Sequence, residues 1–491
     1  MKNKKFTALF LASLLTAGTM SCGSDKPSGD ESTDAPTSSE DTTSEYDYPD
    51  EDFGGYEFTF YNADEQFGCN IRLDIEEQTG EPLEDAIYKR NRRIEERFNC
   101  KITEYQADGK TAWATSQSNM CKEIAQMVMA GDNDFDAAYL PVYFNPSVVT
   151  EGYLTDLKTI SELKLGEAWW DNVFNDEIEI NGSLYTAASP LNFMTLDLAW
   201  VMLFNQDMMD DRSLEYPYQL VRDGKWTLDA LNSYLTGVAS LNGDESFTWK
   251  SDGNAVYGIA NHRSSTDAFL FSAENRLMSR NGDNFKFTAG TERMYSTIDK
   301  LIPILDSNSG NTYTHNGADF KAKEGYMYAF SVDRALFLTC ELKSSLQLRS
   351  MESTFGLLPL PKYDEEQENY IAYVNPIACL LTIPVTNKET HRTGVLIDAM
   401  TYESYKDVLP VYYNVSVEHK GLRNDESIEM LDIVRNNRST QFSDLYGITS
   451  ALNNSLQKVV LDATGTAAST IAAAESTVQK NLENVLAAFS K

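Results

Sequence analysis

Residues 52–65 read DFGGYEFTFYNADE, residues 81–99 EPLEDAIYKRNRRIEERFN and residues 130–140 AGDNDFDAAYL, and these three stretches decide the fold. Tyr56 to Tyr61 alternates polar and aromatic side chains, the period of a strand with one buried face. Pro82 opens a helix in which Leu83, Ile87, Ile94 and Phe98 fall on one stripe, with Arg90, Arg92 and Glu95 largely outside it. Ile102 to Tyr105 is the next strand. A helix follows from about Ser118 to Ala130, stops at Gly131, and yields to the near-continuous apolar strand Phe135 to Leu140. Strand, helix, strand, helix, strand predicts a parallel sheet covered on its faces, an α/β lobe.

The rest of the chain is α/β as well. Strand-like runs occur at Leu184 to Ala187, Ala199 to Phe204, Tyr326 to Phe330, Phe355 to Leu358 and Ile377 to Ile383. Helical stripes at Thr227 to Leu241, His391 to Tyr405 and Val459 to Phe489 separate them, and no internal repeat is visible. A chain of 491 residues exceeds what one core usually supports, so two or more lobes are expected.

The N-terminus sets the address. Lys2, Lys4 and Lys5 precede an apolar stretch from Phe6 to Leu15, which reads as a signal peptide over residues 1–21. The small residues before Cys22 resemble the lipobox of bacterial lipoproteins, with Thr19 where Leu is usual, and imply lipidation of Cys22. Gly23 to Asp52 carries eleven acids and one Lys among many Ser and Thr, so residues 22–52 are expected to be a disordered tether. No later apolar run reaches the roughly 18 residues of a membrane span, so the expected membrane attachment is through lipid alone.

The formal net charge of −33 argues against nucleic acid as a partner, because a polyanion is repelled at long range. Cys69, Cys100, Cys121, Cys340 and Cys379 form no CxxC or Cys/His cluster; their odd count leaves at least one thiol unpaired and one or two disulfides allowed. Asp132, Asp134 and Asp136 mimic the start of a calcium loop, but Ala137 stands where Gly is required and Tyr143 where a bidentate acid is required. Neither a metal nor a cofactor is expected.

Taken together, the quoted segments and EGYLTDL (151–157), AWWDN (168–172), DGKWTLDAL (223–231), FGLLPLPKYDEEQENY (355–370) and DESIEMLDIVRNNR (425–438) resemble the family 1 extracellular solute-binding proteins. These are the substrate-capturing lipoproteins of ABC importers. The resemblance implies a two-lobed, hinged α/β fold of the type II periplasmic-binding-protein kind. It also implies a sugar or oligosaccharide ligand in the cleft, delivery to a membrane permease, export to the outer face of the bacterial cytoplasmic membrane, a monomer and no catalysis. Lobe one is expected over 53–165 plus 370–408, and lobe two over 166–369 plus 409–491.

A sugar needs flat aromatic surfaces for its faces and hydrogen-bonding side chains for its rim. Trp169 and Trp170 are candidates for stacking, with core or hinge packing as the equal alternative. Asn62 and Asp64 follow the first strand and either enter the cleft or form a turn. Tyr143 follows the third strand. Asn192 sits in a loop where lobe two should present a strand end, Ser331 and Asp333 follow the expected strand at 326–330, and Asn375 and Tyr413 lie near the inter-lobe crossings.

Two other classes compete. A glycoside hydrolase needs two carboxylates across the scissile bond, and 74 acids make carboxylate abundance uninformative. No GxSxG, HExxH or Walker A pattern occurs, and His262, His315, His391 and His419 are read as surface or packed residues. A surface receptor for peptides or glycans would use the same scaffold without transport.

Overall fold

β1 (Tyr56–Asn62) and β2 (Cys100–Gln106) pair in parallel along their full length, from Tyr56 opposite Cys100 to Asn62 opposite Gln106. They belong to a computed structural model that describes residues 46–64, 70–282, 284–316, 322–348, 350–419 and 424–490. The expected signal peptide, Cys22, most of the expected tether and Cys69 lie outside the described residues. In chain order the further strands are β3 (Ala137–Leu140), β4 (Trp200–Asn205), β5 (Tyr257–Asn261), the hairpin β6 (Met278–Asn281) and β7 (Asn284–Phe287), β8 (Thr312–Thr314), β9 (Ala335–Glu341), β10 (Phe355–Leu358), β11 (Ala372–Tyr373), β12 (Leu380–Thr382) and β13 (Arg438–Ser439).

Two sheets define two lobes, the two-lobed α/β fold expected from the sequence. The first has the order β12-β3-β1-β2, with β1, β2 and β3 parallel and β12 antiparallel at the edge. The second has the order β10-β4-β9-β5-β8; β5 is parallel to β9 and β8, whereas β4 runs antiparallel to both β9 and β10. Between them β11 and β13 form a small parallel pair, and Ala199 bridges Val374. The chain crosses between lobes near 193–199 and again between β11 and β12; the helix Leu409–His419 packs on lobe one and the helix Asp425–Asn436 on β10 of lobe two.

The first lobe follows its sequence closely. Phe58 and Phe60 are fully buried, the helix Pro82–Phe98 buries Ile87, Ile94 and Phe98, and the helix Trp113–Ala130 ends at Gly131 with φ of 79°. That positive φ is the left-handed cap glycine adopts without a Cβ penalty. Arg90 departs from expectation. It is fully buried, donating to Asn91 Oδ1 at 2.8 and 3.0 Å, to the Leu73 carbonyl at 2.8 Å and to Ser404 Oγ at 3.1 Å. Burial pulls its guanidinium down to about 10. A buried, hydrogen-bonded Arg is invisible to a hydrophobic stripe, which registers only apolar positions.

Lobe one is larger than the expected 53–165 plus 370–408. Ala187 bridges Leu381 of β12, Leu157 N–H donates to the Leu184 carbonyl, and the helix Leu409–His419 packs on Pro82–Phe98. Residues 46–52, expected to belong to the tether, are also docked here. Tyr46 is buried, its hydroxyl donates to Asp398 Oδ2 at 3.0 Å, and its ring stacks on Tyr402 at 4.7 Å.

The second lobe diverges at one informative place. Tyr326–Ser331 is a helix, not a strand, and it buries Tyr326, Met327, Ala329 and Phe330, a helical rather than alternating spacing. The chain then turns at Asp333, with φ of 59°, into β9, the central strand. The Leu184 to Ala187 run contributes only the Ala187 bridge, and the expected helix at 459–489 is two, Ser450–Leu461 and Ala467–Ala488, separated at Gly465. Cys100, Cys121, Cys340 and Cys379 are free thiols, so no disulfide joins the described cysteines.

Candidate functional site: a cleft between the lobes

The carboxyl ends of β3, β5 and β9 face a common cleft, where an open α/β sheet presents its loops. Lobe one supplies Tyr143 and Phe144 from the turn after β3, and Trp113 from the start of a helix. Lobe two supplies Trp200, the first residue of β4; His262 and Ser264 after β5; and Glu341 and Lys343 at the end of β9. Asn375 comes from the crossing segment after β11. Two cavities, of about 280 and 770 Å³, share Tyr143, Trp200, His262, Ser264, Asn316 and Asn375 and are therefore parts of one cleft.

The wider part is aromatic. Trp113 is 38% exposed and meets Phe144 edge-on at 5.0 Å, and Tyr143 meets Phe144 at 5.3 Å and 87°. Trp200 is buried, yet its indole N–H has no hydrogen-bond partner among the described residues. An orphaned buried donor costs about 1–3 kcal/mol, and the residue that carries it lines both cavities. Asn375 Nδ2 donates to Glu341 Oε1 at 2.6 Å, and Glu341 pairs with Lys343 at 3.5 Å. His262 Nδ1 accepts the Ser264 N–H at 3.2 Å, which leaves Nε2 protonated and donating to the Asn316 carbonyl at 3.1 Å. Burial lowers its pKa, in keeping with a neutral ring.

The narrower part is polar. Asp444 accepts from Tyr373, Gln441, Thr449 and Asn453 at 2.7–3.0 Å, two donors on each oxygen. Among the described residues the Asp267 carboxyl accepts from Gln457 Nε2 alone, on Oδ2 at 2.7 Å. Burial first, and the Asp444 charge second, push the Asp267 carboxyl up to about 8, against the opposing pull of Gln457 and Arg263. Among the described residues no group of His, Cys, Asp or Glu is arranged to hold a metal; Asp136 instead accepts the Tyr56 hydroxyl at 2.7 Å and the Thr59 N–H at 2.9 Å.

Of the residues singled out in the sequence, Tyr143 and Asn375 line this cleft. Trp170 and Tyr413 line a different pocket of about 270 Å³, and Trp169 and Trp170 both donate to Asp398 Oδ1. Asn62 is buried and holds a turn, donating to the Ile71 carbonyl at 2.9 Å and accepting the Ala63 N–H at 3.0 Å. Asp64 lines none of these cavities. Asn192 is buried where the chain leaves lobe one, donating to the Cys379 carbonyl at 3.5 Å. Ser331 caps its own helix by donating to the Tyr328 carbonyl at 2.8 Å. Asp333 accepts from Asn205 and Ser353 at 2.6 and 2.9 Å, at the end of β9 opposite Glu341 and the cleft. That misplacement follows from reading the helix 326–331 as the strand.

Trp200, His262, Glu341, Asp267 and Asp444 were not found in the sequence. Trp200 heads a run correctly read as a strand, but β4 is antiparallel to its neighbour, so its amino end meets the cleft. His262 follows β5 and Glu341 ends β9, two strands not read from the sequence, although ALFLTC (335–340) is as apolar as any run chosen.

No protein-family model matches the chain, and no curated protein matches it. Solved structures do. An ABC substrate-binding protein of Listeria monocytogenes, in complex with cycloalternan, superposes with a TM-score of 0.55 at 12% identity, over 87% of this chain and 99% of the other. The galacto-N-biose/lacto-N-biose I-binding protein of the Bifidobacterium longum ABC transporter, with lacto-N-biose, gives 0.55 at 14% identity over 89% and 98%. Maltose-bound MalE3 of T. maritima gives 0.51 at 13% over 87% and 99%. The chain has the two-lobed fold of these proteins across nearly its whole described length.

Proposed function

We propose that the protein is an extracellular solute-binding protein that captures a saccharide between its lobes and delivers it unchanged to a membrane importer. The observation that carries this is the cleft itself: aromatic rings from lobe one, an unpartnered indole N–H from lobe two, and hydrogen-bonding side chains from both lobes and the crossing segment. The fold's sugar-bound neighbours support the same reading. Cys22 is the proposed lipid attachment point that keeps the protein at the cell surface.

Energetics favour closure. Micromolar binding requires about 8 kcal/mol, and one aromatic platform contributes roughly 0.5–1.5 kcal/mol beyond its area. Walls from both lobes must therefore act together, which hinge closure accomplishes. Candidate ligand contacts are Tyr143 and Asn375 with Trp113, Phe144, Trp200 and His262.

Of the cleft carboxyls Asp267, Asp444 and Glu341, the first two, at the polar end, give the hydrolase alternative its most concrete footing, and geometry weighs against it. A glycosidase nucleophile or base needs a free lone pair, and both Asp444 oxygens are occupied by protein donors. Tryptophan fluorescence and thermal shift across a broad saccharide and peptide panel, with chromatography of each mixture afterwards, test the proposal. Saturable binding of a sugar with no new product is expected; cleavage, or response to peptides alone, overturns it.

A further inference from the structure

The cleft has two unlike ends, and the polar one carries charge that a neutral sugar does not need. A neutral rim is served by amides and hydroxyls, and this wall offers them in Asn453, Asn454 and Ser450. Alongside them stand two carboxyls. Asp444 is saturated by four donors, so it acts through its charge. Asp267 Oδ1 accepts no hydrogen bond among the described residues, in a cavity of about 280 Å³. Buried Trp200, whose indole N–H has no partner among the described residues, also lines this cavity.

We propose that this end of the cleft is a cation subsite, in which Asp267, backed by Asp444, takes the protonated amino group of an amine-bearing saccharide while Trp200 donates to a ligand oxygen. The inference rests on the saccharide reading above and narrows it. The groups facing Asp267 are Asp444 from the hinge side, Arg263 and His262 from the loop after β5, and the Tyr143 and Tyr373 hydroxyls. Arg263 pulls on Asp267 but is also engaged with Asp462 at 3.4 Å, and the hydrogen bonds of His262 define a neutral ring, so the charge of the carboxyl pair is only partly offset. An arriving ammonium offsets it further, because opposite charge in a partly desolvated site favours the ionised carboxyl. Asp267, held largely protonated near neutral pH by burial and Asp444, then ionises and releases its proton to solvent.

The test pairs each neutral sugar with its 2-amino-2-deoxy form (glucose with glucosamine, galactose with galactosamine) and glucosamine oligomers with their N-acetylated counterparts. Calorimetry in two buffers of different ionisation enthalpy reads affinity and proton release together. At least one amine form is expected to bind about tenfold tighter than its neutral partner, with proton release, and D267N should remove that preference. W113A serves as a control that weakens both members of a pair alike. Equal or tighter binding of every neutral form, or a preference that survives in folded D267N, overturns the cation subsite and leaves the saccharide reading intact. Binding of no member of a wider sugar panel removes both. The wild-type comparison stands alone should D267N fail to fold.

Discussion

Trp169 and Trp170, neighbours in sequence, converge on one acceptor: their indole N–H groups donate to the same Asp398 oxygen at 3.1 and 2.9 Å. That oxygen also accepts the Lys164 N–H at 3.1 Å, and the other oxygen accepts the Tyr46 hydroxyl. Asp398 is fully buried, so it ties Tyr46, the Trp pair and the helix Thr390–Glu403 into one joint. Replacing Asp398 with Ala strands buried donors, and a loss of about 2–4 kcal/mol in chemical denaturation is expected. Ligand affinity of the folded fraction should stay unchanged, which separates this structural role from the stacking role that a Trp pair suggests in sequence.

Trp200 is expected to behave in the opposite way. W200F keeps a ring and deletes the orphaned N–H, so the ligand-free protein should be equally or more stable. Affinity for the ligand should fall by about 2–10-fold, the net value of one hydrogen bond. Thermal melts and titrations of the same sample read both effects, and a destabilised W200F with unchanged affinity would make Trp200 a packing residue only.

His391 sits between two carboxylates, Nδ1 at 2.7 Å from Glu162 and Nε2 at 3.2 Å from Glu51. The Glu162 hydrogen bond first, then that of Glu51, raises its pKa. A raised folded-state value means the stabilising contribution is complete below the unfolded value of about 6.5 and is lost as pH climbs through the folded one. The ring is exposed, so the consequence is local: Glu51 is expected to detach from lobe one at high pH. NMR titration of the ring should place its midpoint above that of a free histidine, and E162Q should lower it.

The thiols should be inert in the folded protein. Burial pushes the thiols of Cys100 and Cys121 up to about 12 and raises that of Cys340, so little thiolate is present near neutral pH. Reaction of these three with a thiol reagent is expected to be slow until denaturant is added. Fast labelling of the native protein at any of them would contradict the burial described.

The first lobe was legible because β1, the helix 82–98, β2 and β3 each declare their period, with Pro82 and Gly131 marking helix boundaries. In the second lobe periodicity misled: Tyr326–Ser331 and β9 are adjacent apolar runs, and only their packing distinguishes helix from strand. The cleft was half legible. Tyr143 follows a parallel strand whose polarity sequence can supply, whereas Trp200 begins an antiparallel one, and strand direction is a property of the sheet. Trp169 and Trp170 drew attention by composition, and the feature that explains them, Asp398, lies more than two hundred residues away.

Small-angle scattering of the protein with and without a saturating saccharide tests the central claim most directly. A measurable contraction on binding, reversed when the ligand is removed, is what two lobes closing around a solute must produce. A curve unchanged by a ligand shown to be bound would mean that the cleft does not close.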